Sequence, residues 1–259
     1  LRIFAGPNGS GKSTIKSVIR PELLSTYINP DDIEAEIKKY DFYDFNSLDI
    51  KTTKNEILSF FQSSTLLIKA DLEEEASYLK FNDNKLIFHE VSVNSYFASV
   101  LADFIRQKLI LAHKSFTFET VMSSSDKIQL LKNAQQYGYR TYLYFVATDS
   151  PLINISRVKH RVKMGGHDVP TQKIIDRYFR SLDFLWEAIQ YTNRAYIFDN
   201  SNSELQWLAE IVDAKTNGTE IMKFTVNTKE AIIPIKYNKN PSSIKFDPRT
   251  VLLAEIEMK

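Results

Sequence analysis

One stretch near the start of the chain constrains the fold more than any other, and it reads Gly6-Pro7-Asn8-Gly9-Ser10-Gly11-Lys12-Ser13-Thr14. It follows an apolar run, residues 1–5, and matches the pattern G-x-x-x-x-G-K-[ST] in full. Glycine can adopt backbone dihedral angles that are unfavourable for other residues. Successive N–H groups of such a segment can therefore point toward a bound anion. The stretch therefore predicts a phosphate-binding loop between a buried strand and a helix. The alternative is a glycine-rich turn without a ligand.

The residues of this loop have distinct expected roles in holding a nucleotide. Residues 6–14 are predicted to cradle the phosphates of ATP, mainly through backbone N–H groups. Lys12 supplies a full positive charge to the outer phosphates, and the hydroxyl of Ser13 is the expected ligand of Mg²⁺. ATP and Mg²⁺ are thus the predicted cofactors.

Composition argues against several other classes of protein. The chain has 259 residues, of which 43% are hydrophobic, enough for one sizeable core with an inserted subdomain. Its net charge of +1 gives no global attraction to nucleic acid or to anionic lipid. With no cysteine and only four histidines, neither a disulfide framework nor a zinc site is expected. No apolar run approaches the length of a membrane span, so we expect no membrane partner and a cytoplasmic location.

The pattern of apolar segments predicts an α/β fold with a central, mainly parallel five-stranded sheet flanked by helices. The expected strands are residues 1–5, 26–28, 115–119, 140–147 and 195–198. Asp31 and Asp32 follow the second strand, at the sheet edge where ligands bind in open α/β folds. They are candidates for contact with a ligand, and helix N-capping is the alternative for either one.

The third expected strand ends in an acid. Glu119 closes this strand and Thr120 follows it, again at the carboxyl end. An acid in this position can hold a water molecule on Mg²⁺ or orient a substrate hydroxyl, as the acids of phosphoryl-transfer sites do. Both residues are therefore candidates for substrate binding.

A helix beginning at Ser150-Pro151 carries a pair of arginines and then breaks at glycines. Arg157 and Arg161 are four residues apart and share a helix face, and residues 165–168 read GGHD. Such a segment is typical of a mobile lid whose guanidinium groups neutralise charge on the transferred phosphoryl group. Solvated arginines on a surface helix are the alternative. For His167 we expect packing within the lid or a substrate contact, and no catalytic role.

Two further parts of the chain have weaker patterns. Residues 41–94 are interpreted as a helical insertion, and their aromatic side chains form either a small core or the lining of a substrate pocket. Residues 203–259 are expected to form a small C-terminal β appendage or to extend the sheet, with a hairpin turn at Asn217-Gly218 and a further strand at 231–237. The core domain is thus predicted to span residues 1–202.

Taken together, the motifs resemble the zeta toxin group of P-loop kinases, and within it the bacterial proteins usually described only as predicted ATPases. The resemblance covers most of residues 1–202. It rests on FAGPNGSGKST at 4–14, INPD at 28–31, FET at 118–120 with Ser123, and RVKHRVKMGGHDVP at 157–170 with the later Arg177-Tyr178.

The resemblance implies a P-loop NTPase fold and an ATP-dependent kinase acting on UDP-N-acetylglucosamine, with an antitoxin protein as a partner. It makes Asp31 the catalytic base, Lys12 the phosphate-loop lysine, Glu119 a substrate contact, and Arg157 and Arg161 the phosphate-contacting arginines. This chain differs from the family pattern in two places, both in parts of the chain expected to contact the substrate. Val121 stands where zeta toxins have a threonine, and residues 41–94 are longer than the usual connection.

Three functions follow as hypotheses. The first is a kinase that phosphorylates a hydroxyl of a small molecule, such as a UDP-amino sugar. The second is an ATP-driven switch or hydrolase without an acceptor, which needs no base at Asp31. The third is a nucleic-acid kinase or binding module, which the near-neutral charge disfavours.

Overall fold

The computed structural model of the protein describes residues 1–166, 168–212 and 223–226. The chain divides into two compact units. The first consists of Leu1–Leu23 together with the chain from Glu119 onward, and the second of Leu24–Phe118.

Strands and helices alternate along much of the described chain, as an α/β fold requires. The strands are β1 (Arg2–Ala5), β2 (Thr26–Ile28), β3 (Phe42–Asp44), β4 (Lys80–Asn82), β5 (Lys85–Ile87), β6 (Phe116–Thr120), β7 (Tyr142–Ala147), β8 (Arg194–Asp199), β9 (Gln206–Val212) and β10 (Lys223–Val226). The helices are α1 (Lys12–Val18), α2 (Pro30–Tyr40), α3 (Lys54–Gln62), α4 (Thr65–Ile68), α5 (Glu73–Ser77), α6 (Ser95–Leu111), α7 (Asp126–Gln136), α8 (Pro151–Lys163), α9 (Thr171–Asp183) and α10 (Leu185–Gln190).

The first unit contains a sheet whose parallel strands lead to the phosphate loop. β1 pairs in parallel with β7, and β7 in parallel with β8. β9 runs antiparallel to β8, and β10 antiparallel to β9. The register places Ile3, Leu143, Ala195 and Ile211 in one row across four strands, and all four side chains are buried. Buried apolar strands of this kind fix the end of β1, from which the loop departs.

The five strands that the sequence predicts are all present, as β1, β2, β6, β7 and β8. Besides the pairs in the first unit, β2 and β6 are parallel, with Ile28 opposite Phe118. The predicted α/β class with a mainly parallel sheet is therefore confirmed. β9 pairs with β8 and so extends this sheet, although its residues fall in the predicted appendage. The expected turn at 217–218 and strand at 231–237 lie outside the described residues, and the boundary at 202 stays a prediction.

Helix boundaries in the first unit follow local sequence rules. Ser150 caps α8 by accepting a hydrogen bond from Leu152 N, and Pro151 occupies the first helical position. α7 ends before Gly138, whose φ of +79° is the left-handed conformation expected after a helix. α9 buries Ile174, Tyr178 and Leu182 at the spacing of one helix face. Among the described residues, no helix combines the length and apolarity needed to cross a membrane.

The second unit contains residues 41–94, which the sequence predicts to be a helical insertion. Its short helices accompany a three-stranded antiparallel sheet in the order β3-β5-β4. Of the aromatic side chains, Tyr43 and Phe45 are buried, and the ring of Phe45 contacts the rings of Phe81 and Phe104. Tyr40 is 50% exposed. The buried members therefore form a hydrophobic core, which is the first of the two interpretations that the sequence left open.

Candidate functional site

The phosphate loop has the backbone conformation that its glycines predict. Gly6, Gly9 and Gly11 have φ of +143°, +77° and +93°. A side chain would not fit at any of these positions even without the strain of positive φ, and a Cβ on Gly6 would lie 2.2 Å from the backbone oxygen of Val146. A Cβ on Gly9 would lie 2.6 Å from the backbone oxygen of Asn154, and one on Gly11 would overlap the amide nitrogen of Asn200. The loop is thus tightly packed as well as turned inward.

Lys12 is buried at the centre of this loop. Its Nζ donates hydrogen bonds to the backbone oxygens of Gly6 at 2.9 Å and Pro7 at 3.1 Å. The carboxylate of Glu119 lies 3.9 Å from the same Nζ, and the lysine is only 8% exposed. A buried ammonium group needs such partners. The structure therefore brings together Lys12, the predicted phosphate-binding lysine, and Glu119, the predicted acid near the end of β6.

The remaining hydroxyl groups of the loop fit a phosphate ligand. Ser13 and Thr14 are exposed in the first turn of α1, where a hydroxyl can reach a metal ion carried by a nucleotide. Ser10 Oγ is buried, and within the described part of the chain it has no hydrogen-bond partner. Such an atom needs an explanation, and a phosphate oxygen at the loop would satisfy it after a small rotation of the side chain.

Two asparagines that the sequence analysis does not assign hold the loop from outside. Asn154 Nδ2 donates to the backbone oxygen of Asn8 at 2.7 Å, and Asn200 Nδ2 donates to that of Ser10 at 2.7 Å. Asn154 is itself fixed because its Oδ1 accepts a hydrogen bond from the hydroxyl of Thr148. The position of Asn200 directly after a parallel strand is the only sequence signal for its role. For Asn154 we find none.

The arginines of the predicted lid have different surroundings. Arg157 on α8 donates through Nη1 to the backbone oxygen of Asn200 at 2.7 Å and through Nη2 to that of Asn202 at 3.3 Å. It therefore lies against the segment that supports the loop. Arg161 is exposed in the last turn of α8 and packs near Gly166. His167 lies outside the described residues.

A third arginine, on α9, also reaches the loop. Arg177 Nη1 lies 3.5 Å from Asn8 Oδ1. The next residue, Tyr178, is fully buried and donates from its hydroxyl to the backbone oxygen of Thr148 at 2.6 Å. Arg177 belongs to the RY segment of the family resemblance, but no role follows for it from the sequence.

The residues after β6 form a fixed turn. The hydroxyl of Thr120 accepts a hydrogen bond from Met122 N at 3.0 Å, and Ser181 Oγ donates to the backbone oxygen of Val121 at 2.7 Å. Glu119 is thus held between a paired strand and an anchored turn. This restricts where its carboxylate can point.

Asp31 and Asp32 belong to the second compact unit, in the first turn of α2. The N-cap of α2 is Asn29, whose side-chain oxygen accepts a hydrogen bond from Asp31 N at 3.1 Å. Helix N-capping, the alternative for Asp31 or Asp32, is therefore wrong for both, since Pro30 takes the first helical position and the cap lies one residue before it. Neither carboxylate is needed as the cap. The catalytic role of Asp31 stays a prediction.

Comparison with protein families supports the resemblance seen in the motifs. Residues 85–209, a little under half of the chain, match the family model described as Zeta toxin. The resemblance to the zeta toxin P-loop kinases is thus confirmed. The match contains the FET segment and the segment from Arg157 to Tyr178, whereas the phosphate loop and INPD lie before it. A Haemophilus influenzae protein described as uncharacterized is 33% identical over 69 residues, which are 27% of this chain and 49% of that protein.

Two solved structures are similar to this chain. One is the complex AvrRxo1-ORF1:AvrRxo1-ORF2 with sulphate ions, at 15% identity and a TM-score of 0.49, with 88% of this chain and 61% of that chain covered. The other is the PezAT chromosomal toxin–antitoxin system of Streptococcus pneumoniae, at 14% identity and a TM-score of 0.46, with 79% and 71% covered. This chain therefore spans less than two thirds of the first of these proteins.

Replacement of Gly9 tests whether the packing of the loop is needed for nucleotide binding. Gly9 and Gly138 have nearly the same φ, +77° and +79°, but a Cβ on Gly138 meets no atom within 4 Å. We expect Gly138→Ala to lower the free energy of unfolding by about 1–2 kcal/mol through left-handed strain alone. Gly9→Ala should lower it further, because the overlapping atoms belong to the backbone of α8.

The same pair of variants separates binding from stability. In calorimetric titrations with ATP and Mg²⁺, Gly9→Ala should weaken ATP binding by about tenfold or more, and Gly138→Ala should bind as the parent protein does. Equal unfolding free energies and equal ATP affinities in the two variants would contradict the packing described for the loop.

Proposed function

We propose that the protein is an ATP-dependent phosphotransferase that moves the γ-phosphate of ATP to a hydroxyl group of a small molecule. The observation that carries the proposal is the tightly packed glycine loop, with the charged amine of Lys12 buried against its carbonyl oxygens. The match to the Zeta toxin family model supports a kinase over a simple phosphate-binding protein. We place the reaction in the cytoplasm, where ATP is available.

In this proposal residues 6–14 hold the phosphates of ATP. Lys12 would exchange its carbonyl contacts for oxygens of the outer phosphates, and Ser13 would hold Mg²⁺. When bound, Mg²⁺ neutralises part of the charge that develops on the phosphoryl group during transfer. The acceptor oxygen forms a bond to the γ-phosphorus while the bond to the bridging oxygen of ADP breaks. The acceptor's proton passes to a base, for which we propose Asp31.

Arg157 and Arg161 are proposed as the lid arginines that stabilise the transferred phosphoryl group. Both lie on α8, one turn apart, and α8 also carries the asparagine that supports the loop. The guanidinium group of Arg157 is held by the carbonyl oxygens of Asn200, the second asparagine that supports the loop, and of Asn202. An arginine whose position is fixed in advance loses little entropy when a phosphate arrives.

The acceptor is the least constrained part of the proposal. Glu119 and Thr120 are proposed to contact it, because they end β6 close to the predicted phosphate position marked by Lys12. A UDP-amino sugar is one candidate acceptor, as the family resemblance implies. An antitoxin protein is a proposed partner, since the matched family is one of toxins.

Transfer of label from ATP tests the proposed activity. The protein is incubated with γ-labelled ATP, Mg²⁺ and a pool of small metabolites that includes UDP-amino sugars. We expect label in an organic acceptor, and we expect its transfer to be abolished in Lys12→Ala, because the loop loses a charge that acts most strongly in the transition state. Lys16→Ala, an exposed lysine of the same helix, serves as the control.

The distribution of label decides between the alternatives. Label found only as free phosphate would support the ATP-driven switch. Undiminished turnover in Lys12→Ala, or no movement of label with any acceptor, would rule out the proposed activity at this loop.

Arg157→Ala tests the proposed lid. We expect kcat to fall by roughly 10³-fold or more, with a smaller change in the affinity for ATP, because the contact strengthens as charge develops. Pre-steady-state turnover and equilibrium ATP binding measure the two quantities separately. Weaker ATP binding with an unchanged kcat would instead assign Arg157 to the support of residues 200–202 alone.

Asp31→Asn and Asp32→Asn form a matched pair that tests the base. Removal of a general base lowers the rate by roughly 10² to 10⁴, so Asp31→Asn should lose transfer to the acceptor and retain ATP binding. Asp32→Asn should keep transfer, with a loss of stability of about 0.3–1 kcal/mol because it removes a negative charge from the first turn of α2. If the two variants lose transfer equally, or if Asp31→Asn is fully active, Asp31 is not the base.

A further inference from the structure

Arg177 reaches the phosphate loop from α9, whereas the proposed lid arginines lie on α8. It is on α9, and its Nη1 is 3.5 Å from the side-chain oxygen of Asn8. Asn8 belongs to the first half of the loop, next to the two carbonyl groups that hold Lys12. The two cations therefore lie around the same half of the loop.

We infer that Arg177 is a nucleotide-binding residue that contacts the terminal phosphate of the ATP held by this loop. The inference rests on the proposed function, because it requires ATP at the loop. In this state the guanidinium group would exchange a neutral amide oxygen of Asn8 for phosphate oxygens. A planar guanidinium group binds a phosphate through two parallel hydrogen bonds, which an amide oxygen cannot offer.

α9 holds Arg177 in place. Tyr178 and Ser181, on the same helix, donate hydrogen bonds to the backbone oxygens of Thr148 and Val121, and Ile174 is buried. The hydroxyl of Thr148 in turn binds Asn154, which supports the backbone of the loop. α9 and the phosphate loop thus share an anchor, and the guanidinium group is positioned before the nucleotide binds.

The electrostatics of α9 agree with an anion at this place. The positive charge of Arg177 is the main cause, ahead of partial burial, that lowers the pKa of Lys173 one turn earlier. A cation whose pKa is lowered by a neighbouring cation lies in a positive potential. A phosphate group bound by Arg177 would reduce this repulsion.

Binding of ATP and of ADP to three variants tests the inference. Arg177→Ala should weaken the binding of ATP by about tenfold to a hundredfold, the range for a hydrogen bond to a charged group, and that of ADP by less than about threefold. Arg177→Lys should recover part of the affinity for ATP, because it restores the charge without the planar pair of donors. Arg180→Ala, an exposed arginine on the same helix that contacts its own backbone, should bind both nucleotides as the parent protein does.

The outcomes separate this inference from the proposed function. If the parent protein binds ATP, Lys12→Ala does not, and Arg177→Ala binds ATP normally, the inference is wrong and ATP binding at the loop stands. Equal losses for ATP and ADP, or equal losses in Arg177→Ala and Arg177→Lys with no recovery, would show a structural role only. Absence of ATP binding by the parent protein would overturn both.

Discussion

The carbonyl oxygens of the phosphate loop depend on side-chain donors, both from the loop itself and from distant parts of the first unit. Buried backbone carbonyl groups are almost always hydrogen bonded. Here the carbonyl oxygens of Gly6 and Pro7 accept from Lys12, that of Asn8 accepts from Asn154, and that of Ser10 accepts from an amide after β8. Besides Lys12 of the loop itself, two distant segments of the first unit therefore hold the loop in its conformation.

This requirement also determines where the cations lie. Because Asn154 binds the backbone of the loop, α8 lies beside the loop. Arg157, on the same helix, is therefore placed near the loop as well. Asn200 also contacts the loop, and Arg157 binds the carbonyl oxygens of Asn200 and Asn202. Packing of α9 on Thr148 then brings Arg177 to Asn8. The positive charge at the site is in this way a consequence of the same contacts that hold the loop in shape.

Features encoded by neighbouring residues could be predicted from the sequence, and features encoded by distant pairs could not. The strands, the glycine loop and the start of α8 follow from apolar runs, positive φ and a Ser-Pro cap, and all are found as expected. The roles of Asn154 and Asn200 depend on partners 146 and 190 residues away in the chain, which no local pattern records. The cap of α2 differs from the sequence-based alternatives, Asp31 and Asp32, because Asn29 is also a favourable cap residue and the start of the helix at Pro30 selects it.

The contacts of Arg157 explain how one side chain can serve both the fold and a reaction. An ammonium group has three N–H donors on one nitrogen, whereas the guanidinium group spreads five N–H donors over three nitrogens in a rigid plane. The guanidinium group has more N–H donors than the two used on residues 200 and 202. It can keep those contacts, which hold the support of the loop, while its remaining donors face a phosphate. Under the proposed function, Arg157 would then lose no structural contact on stabilising the transferred group, and the loop would not need to rearrange.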